Sequence, residues 1–340
     1  MTGSAFLPDS EKPPIKTRVL ILSDTNGKRF ERDKIFQGHV DIAIHCGNLT
    51  DGSKLEEFGA AIELLKAIKA TWKFVIAGSR DFTLDDGAFE KIKAEADRGE
   101  VTLGGSIAEE YGLVGEARLI LLDIVRHGIK YLREGTHQVI LHNDALVRIY
   151  ASPYTPSNGS TGGFQYTDGH EFCIPPGTDI VVTHGPPRGV WDRIRDPRQA
   201  GSEERIGCPQ LFGAVARAQP RLHCFGHARG DWGARLVTWR REISEHPSHL
   251  ADIDNEGGKS PVIASLPWMP GDKLKACREG NCYYTNHCTG DENAVGEGKT
   301  LFINAALVRD DDGPERFPWL VEIDLSQVWR PEPSADMVEL

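Results

Sequence analysis

The chain has 340 residues, of which 39% are hydrophobic, and its formal net charge is -11. A chain of this size and composition can bury one large core or two smaller ones, so a globular protein is expected. The acidic balance argues against nucleic acid or an anionic membrane as the main partner, because both attract basic surfaces.

Domain limits follow from composition along the chain. Residues 1–16 are polar, without the apolar core of a signal peptide, and no later stretch approaches the roughly 20 apolar residues of a membrane span. A cytoplasmic location is therefore expected. We assign residues 1–16 to an N-terminal extension, residues 17–325 to a single domain with an insertion at about 240–299, and residues 326–340 to a C-terminal tail.

Strands and helices alternate in the first part of the chain. Short apolar runs predict strands at residues 18–22, 40–46 and 74–77. Between them, Ser53 and Glu56 form a capping-box pattern ahead of apolar residues at helical spacing, which predicts a helix over residues 53–69.

Strands dominate the second part. They are predicted at residues 119–122, 147–151, 180–183, 222–225, 301–304 and 320–323. This order predicts an α/β layered fold in which polar loops gather at the carboxyl ends of the strands, where such folds bind ligands.

Residues 240–299 are rich in Gly, Pro, Asn and Cys and are too many for an ordinary connection. They form either a passive surface insertion or a lid over a pocket. Three cysteines and a histidine within this stretch are separated by four and five residues rather than by the C-x2-C spacing of structural zinc sites (Cys277, Cys282, His287 and Cys288). Loop thiols or a local disulfide are favoured over zinc. Buried free thiols are predicted for the remaining cysteines (Cys46, Cys173, Cys208 and Cys224).

Five polar corners follow predicted strands. In chain order they read Ser23-Asp24-Thr25-Asn26-Gly27, Cys46-Gly47-Asn48-Leu49-Thr50-Asp51-Gly52, Ala77-Gly78-Ser79-Arg80-Asp81, Thr183-His184-Gly185-Pro186-Pro187 and Phe225-Gly226-His227-Ala228-Arg229-Gly230. This ordered set resembles the calcineurin-like metallophosphoesterases, whose corners read D-x-H, G-D, G-N-H-[DE], a lone His and G-H-x-H. The small metallophosphoesterase-domain group is most similar, since it also carries segments like residues 149–156 and 303–305. The resemblance implies two mixed β-sheets flanked by helices over residues 17–325, apart from the insertion.

The resemblance also implies a two-metal phosphoesterase site, from which this sequence departs. It keeps Asp24, His184 and His227. At the other ligand and catalytic positions it has Asn26 for His, Asn48 for the bridging Asp, Ser79 for Asn, Arg80 for the catalytic His and Arg229 for the last His.

These replacements weaken metal binding for physical reasons. Asp24 alone would face Arg80 and Arg229, which leaves an excess of positive charge before any metal arrives. An added like charge costs about 4 kcal/mol at a separation of about 4 Å and an effective dielectric constant of about 20. The amide of Asn48 is neutral and bridges cations poorly, and Arg229 cannot lose its proton to become a ligand. We therefore predict no dinuclear site.

A repurposed, metal-independent enzyme is the leading hypothesis. Two guanidinium groups can hold a carboxylate, enolate or phosphate, so an anionic or enolisable small molecule is the predicted partner. The predicted catalytic residues are His184, His227, Asp24 and Arg80. The predicted ligand-binding residues are Arg80, Arg229, Asn26, Asn48 and Ser79.

Other interpretations stay open. One divalent metal, the only cofactor considered, would use Asn48, His184 and His227 in a residual phosphoesterase. A non-catalytic binding protein is a further alternative, as is a buried Asp24–Arg229 salt bridge with the histidines hydrogen-bonded to backbone.

Asp51 and Asp81 are interpreted as corner-stabilising carboxylates and His45 as a strand residue. Four further residues would either line the pocket or lie in exposed loops (Tyr154, Tyr166, His170 and Trp191). The sequence predicts no oligomeric state.

Overall fold

Two large β-sheets form the centre of the computed structural model, which describes residues 8–9, 12–103, 105–157, 161–195, 203–266, 269–308 and 315–328. The helices are α1 (Leu55–Ala67), α2 (Asp86–Asp97), α3 (Ile107–Glu110), α4 (Glu116–Asp123), α5 (Pro209–Ala218) and α6 (Gly271–Gly280). The strands are β1 (Pro8–Asp9), β2 (Ile15–Leu22), β3 (Val40–His45), β4 (Ala70–Val75), β5 (Ile129–Tyr131), β6 (Gly135–Ile140), β7 (Leu146–Ser152), β8 (Thr155–Pro156), β9 (Gln165–Tyr166), β10 (Ile180–Thr183), β11 (Arg193–Arg195), β12 (Glu203–Arg205), β13 (Leu222–Phe225), β14 (Gly233–Thr238), β15 (Val262–Ser265), β16 (Tyr283–Asn286), β17 (Lys299–Asn304), β18 (Trp319–Leu325) and β19 (Gln327–Val328).

Both large sheets are mixed. The six-stranded sheet has the order β16-β18-β2-β3-β4-β5, and the seven-stranded sheet has the order β15-β14-β17-β13-β10-β7-β6. β2, β3 and β4 are parallel neighbours in the first sheet, and β7, β10, β13 and β17 are parallel neighbours in the second. Their carboxyl ends therefore lie at one edge of each sheet.

The sheets pack face to face around an apolar core. Alternate residues of each strand point inward, so Val19 and Ile21 of β2 share one buried cluster with Ile180 and Val182 of β10. Helices cover the outer faces: residues of α1 pack with β2 and β3, and residues of α5 pack with β10 and β13. The predicted α/β sandwich of two mixed sheets flanked by helices is confirmed.

One predicted strand is wrong. Residues 119–122 lie in helix α4 rather than in a strand. Ala117 and Leu121 are buried one helical turn apart, whereas the side chains of Leu119 and Leu122 face solvent, with 66% and 47% exposed. A run of four apolar residues fits a buried strand and a short helix equally well, so the local pattern could not separate them.

Helix α1 begins two residues later than predicted. Ser53 Oγ accepts a hydrogen bond from the Thr83 N–H (2.8 Å), which removes it from a capping role. The Lys54 N–H instead donates to Glu57 Oε2 (2.9 Å). The contact predicted between Ser53 and Glu56 is therefore made one residue later in the chain. The neighbouring strand β4 also starts earlier than the predicted residue 74, at Ala70.

The insertion at residues 240–299 extends both sheets. β15 pairs with β14 at one edge of the seven-stranded sheet, and β16 pairs with β18 at one edge of the six-stranded sheet. The ends of the domain also meet, because β1 of the predicted N-terminal extension pairs with β19 of the predicted tail. Residues 329–340 of that tail lie outside the described residues. In the described ranges no helix has the length and apolar character needed to cross a bilayer.

The cysteines of the insertion are free thiols, and His287 is committed to other partners. Its Nδ1 contacts the Asn293 carbonyl (2.7 Å) and its Nε2 contacts Thr285 Oγ1 (3.0 Å). Within the described residues, no group of three or more Cys, His, Asp and Glu side chains could hold a metal ion. The prediction of four buried thiols outside the insertion is wrong for Cys173, which is exposed: in the segment before β10 the neighbouring Phe172 is the residue that packs into the core.

Candidate functional site

The five corners meet where the two sheets adjoin. The Asp24 N–H donates to the Gly47 carbonyl (3.0 Å), which joins the first and second corners. The Gly226 N–H donates to the His184 carbonyl (3.1 Å), which joins the fourth and fifth. Between the sheets, His184 Nδ1 contacts the Cys46 carbonyl (2.8 Å) and the His227 N–H donates to Asp24 Oδ2 (2.9 Å). The corners therefore form one site.

Left-handed backbone conformations are concentrated at these corners. The φ angles are +55° at Asp24, +51° at Asn26, +53° at Asn48 and +62° at His227. Asp and Asn tolerate this region, but a histidine there is uncommon and costs of the order of 1 kcal/mol. The backbone at these corners is thus strained, but the surrounding structure holds it in place, and this fixes the side chains of the site.

Three glycines allow the corners to approach each other. A Cβ at Gly47 would lie 2.5 Å from the Ala77 carbonyl oxygen, one at Gly78 would collide with the Asn48 backbone, and one at Gly226 would collide with Ser23 and Asp24. None of these contacts can be relieved without moving a corner.

Replacing Gly226 is therefore expected to destabilise the protein. We expect Gly226→Ala to lower the free energy of unfolding by about 1–3 kcal/mol, the usual cost of overpacking. Gly59→Ala is the matched control: a Cβ added there meets no atom within 4 Å apart from its chain neighbours and its own helix backbone, so this helix substitution should stabilise by roughly 0.5–1 kcal/mol. Urea unfolding measures both. Equal effects of the two substitutions would contradict the close approach at Gly226.

The carboxylate of Asp24 is fully occupied by protein groups. Its Oδ1 accepts a hydrogen bond from Asn48 Nδ2 (2.8 Å) and lies 3.6 Å from Arg229 Nε. Its Oδ2 accepts from Ser23 Oγ (2.7 Å) and from the His227 N–H. Burial alone would raise the pKa of Asp24, but His184, Arg229 and the two hydrogen bonds to Oδ2 hold it well below its ordinary value. Asp24 is therefore an ionised, internally paired group.

The amide of Asn48 is oriented by two contacts. Its Oδ1 accepts from the Arg80 N–H (2.9 Å), and its Nδ2 points at Asp24. A hydrogen-bond donor thus stands beside the carboxylate where the family has a bridging carboxylate. The two metal ions that the resemblance implies do not fit this donor set, because the buried carboxylate is taken and Arg229 brings a fixed positive charge beside it.

His184 presents a buried proton acceptor. Because its Nδ1 lies against a carbonyl oxygen, that nitrogen carries the proton and Nε2 is the acceptor. Nε2 is buried and has no hydrogen-bond partner among the described residues, and the same holds for Asn26 Oδ1. Burial lowers the pKa of His184 and lowers that of His227 to about 3, so both rings are neutral at pH 7. Their ring centres lie 4.9 Å apart.

Arg80 lies at the rim, where it forms an ion pair with Asp51. The expected excess of positive charge is therefore wrong: Arg229 is balanced by Asp24, and Arg80 is balanced by Asp51. The sequence count missed this because Asp51 comes from a different corner. The carbonyl of the neighbouring Ser79 accepts from the Gly163 N–H (2.9 Å), which places the segment after β8 against the third corner.

Asp81 holds the second and third corners together. It accepts hydrogen bonds from the N–H groups of Leu49, Thr50 and Gly78 and from Thr50 Oγ1. Burial raises its pKa to about 6, against these hydrogen bonds, which lower it. This is the corner-stabilising role expected of it.

Three of the four aromatic candidates pack on one another. The His170 ring stacks on Tyr154 (4.5 Å) and on Tyr166 (5.4 Å), and its Nε2 lies 2.6 Å from Glu134 Oε1. Sequence reasoning missed Glu134, which no local motif marks. Trp191 lies apart, at φ +49°, with its carbonyl accepting from Asn304 Nδ2 (3.2 Å).

Two strand histidines make stability depend on pH. Burial lowers the pKa of His45 and His223 to about 3, from 6.5 in an unfolded chain. Their contribution is present above pH 6.5 and is lost as the pH falls toward 3, because the unfolded chain then binds protons that the folded chain does not. The expected slope is about 1.4 kcal/mol per pH unit for each histidine.

His223→Gln should remove one such slope while preserving a donor to Thr183 Oγ1, which lies 2.9 Å from His223 Nε2. Between pH 7 and pH 5, the free energy of unfolding measured with urea should fall by about 2 kcal/mol less in the variant than in the wild type. An unchanged loss would contradict the assignment.

Comparisons with known proteins give related sequences. No family model matches the chain. Metallophosphoesterase domain-containing protein 1 of Homo sapiens is 31% identical over 265 residues, covering 76% of this chain and 74% of that protein. A UPF0046 protein of Caenorhabditis elegans is 26% identical over 272 residues, covering 78% of this chain and 64% of that protein. The structure of a purple acid phosphatase from yellow lupin seeds aligns with 94% of this chain and 46% of that chain, at 12% identity and a TM-score of 0.36.

Proposed function

Because this chain belongs to the calcineurin-like metallophosphoesterase superfamily, in the group of metallophosphoesterase domain-containing proteins, we propose that it keeps the family pocket but uses it without a pair of metal ions. The proposed ligand is an anionic or enolisable small molecule, and the proposed chemistry is acid–base or electrostatic catalysis. The observation that carries this proposal is the occupation of Asp24 by Asn48, Ser23, Arg229 and the His227 backbone.

His184 is the proposed proton acceptor. Its Nε2 has the lone pair, and its Nδ1–H is anchored on the Cys46 carbonyl, so the ring is held in one tautomer. When Nε2 takes a proton from a ligand, the nearby Asp24 carboxylate stabilises the resulting imidazolium. His227 and Asn26 complete the proposed surroundings of the ligand.

Arg80 is the proposed cation that meets a ligand's negative charge. The side chains of Arg80 and Asp51 are 40% and 58% exposed, so their ion pair is readily exchanged with solvent. An incoming carboxylate or phosphate can replace Asp51 on the guanidinium and gain a bidentate contact. Arg229, more deeply placed, remains with Asp24.

Calorimetric titration of chelator-treated protein with oxalate, a planar dianion that resembles an enolate, tests this arrangement. Asp51→Asn releases Arg80 and should tighten oxalate binding by about tenfold, whereas Arg80→Ala should weaken it by about tenfold. Glu63→Gln is the matched control, since it removes an exposed carboxylate paired with Lys66. Equal affinities in all four proteins, or no binding in any, would contradict the proposed role of Arg80.

Hydrolysis of phosphoric esters with one divalent cation is the second candidate. Family membership favours it, and so do the two buried acceptor atoms, His184 Nε2 and Asn26 Oδ1, which have no partner among the described residues. It predicts hydrolysis of p-nitrophenyl phosphate that requires added Mn2+, is abolished by chelator and is lost in His184→Asn. Oxalate binding that survives chelation, without ester hydrolysis, favours the first candidate.

A further inference from the structure

A second cavity lies away from the corners, on the outer face of the six-stranded sheet. Its volume is about 530 Å³, within the range of small-molecule pockets. Its walls come from β2, from α1 with the residue that follows it, and from residues 28–36, 281, 307–308 and 315–318. We call it the outer pocket and define it by the apolar residues Leu20, Leu22, Phe36, Leu64, Ile68 and Phe317.

The inner wall of the outer pocket is apolar. Leu20 and Leu22 point away from the core between the sheets because strand side chains alternate, and Leu64 and Ile68 face them from one side of α1 and its end. The wall opposite includes Leu307 and Val308, whose N–H groups donate to the Ser23 and Asp24 carbonyls (3.0 and 3.3 Å). The pocket therefore lies behind the first corner and is separate from the candidate site.

Among the described residues that line the outer pocket, the cations outnumber the carboxylates. The cations are Lys28, Lys34 and Arg316, and the carboxylate is Glu315. Glu315 is already engaged by Arg278 (2.9 Å), whereas Lys28 and Lys34 form no ion pair with any residue that the structure describes. An apolar cavity beneath two lysines matches a ligand with an apolar body and a negatively charged end.

We propose that the outer pocket binds an alkyl carboxylate, with the chain in the cavity and the carboxylate between Lys28 and Lys34. Burying the chain supplies most of the affinity, and the lysines select the charge of the head group. This site is independent of the function proposed for the corners.

Calorimetry with dodecanoate, below its micelle concentration, tests the proposal directly. Dodecanoate should bind saturably with one molecule per chain, and dodecylamine, which has the same chain and the opposite charge, should bind at least about tenfold more weakly. Absence of saturable dodecanoate binding, or equal binding of the amine, would overturn the proposal.

Variants separate the outer pocket from general charge effects. Lys28→Glu combined with Lys34→Glu should weaken dodecanoate binding at least about tenfold. Lys91→Glu combined with Lys275→Glu makes the same charge change at lysines that are 77% and 78% exposed, and should leave binding unchanged. Leu64→Phe narrows the cavity and should also weaken binding. If Leu64→Phe does not fold, the two double lysine variants still test the proposal. Equal dodecanoate affinities of these two variants would refute the site.

Discussion

Restoring the family's ligands is expected to give this protein two bound manganese ions and phosphoesterase activity. The variant carries Asn26→His, Asn48→Asp, Ser79→Asn, Arg80→His and Arg229→His. It supplies a second carboxylate beside Asp24 and replaces Arg229, whose fixed positive charge beside that carboxylate is the physical obstacle to a dinuclear centre. It also replaces Arg80, at the rim, by the histidine of the family pattern. Hydrolysis of p-nitrophenyl phosphate with Mn2+ should rise by about 100-fold or more over the wild type.

A four-substitution variant that keeps Arg229 isolates the effect of its fixed positive charge on metal binding. Arg229 Nε lies 3.6 Å from Asp24 Oδ1, so this variant should bind fewer manganese ions and gain little activity. Metal content by elemental analysis and initial rates with and without chelator measure the difference. If the wild type with Mn2+ already matched the five-substitution variant, the account of Asn48 and Arg229 would be wrong.

Removing Arg229 alone is expected to be strongly destabilising. Asp24 is fully buried and the Arg229 side chain is 10% exposed, so Arg229→Met leaves an uncompensated buried carboxylate. Breaking a buried ion pair from one side costs about 3–5 kcal/mol. The penalty should shrink as the pH falls toward 4, because removing Arg229 raises the pKa of Asp24 and the buried carboxyl can then take up a proton.

A double-mutant cycle measures how much of this loss in the free energy of unfolding comes from the interaction between Asp24 and Arg229. Asp24→Asn combined with Arg229→Met removes both charges and should recover about 2 kcal/mol relative to Arg229→Met. Arg98→Met, at an ion pair whose side chains are both more than half exposed, should have no measurable effect on urea unfolding. Additive effects of the two site substitutions would contradict the pairing of Asp24 with Arg229.

Much of the fold could be predicted from the sequence because strand ends and corners are local features. The strands at residues 180–183 and 222–225 match β10 and β13, and five ordered corners indicated the superfamily. Helix α4 could not be predicted from four apolar residues, since burial of Ala117 and Leu121 depends on their tertiary neighbours.

The site was only partly predictable. The corners identified Asp24, His184 and His227, and the structure brings them together with Asn48 and Arg229. What the sequence could not give was the direction of the Asn48 amide or the pairing of Arg80 with Asp51, because each depends on distances between corners. The small-molecule ligand, the cytoplasmic location and the domain limits stay predictions.

The most direct test of the central claim is manganese binding by the wild-type protein, purified without a metal-affinity tag and stripped with chelator. Titration followed by electron paramagnetic resonance counts the bound ions, and elemental analysis of the protein before stripping gives its native metal content. We expect far less than one metal ion per chain in both measurements, because Asp24 stays bound to Arg229 and Asn48. Two tightly bound ions per chain would contradict it.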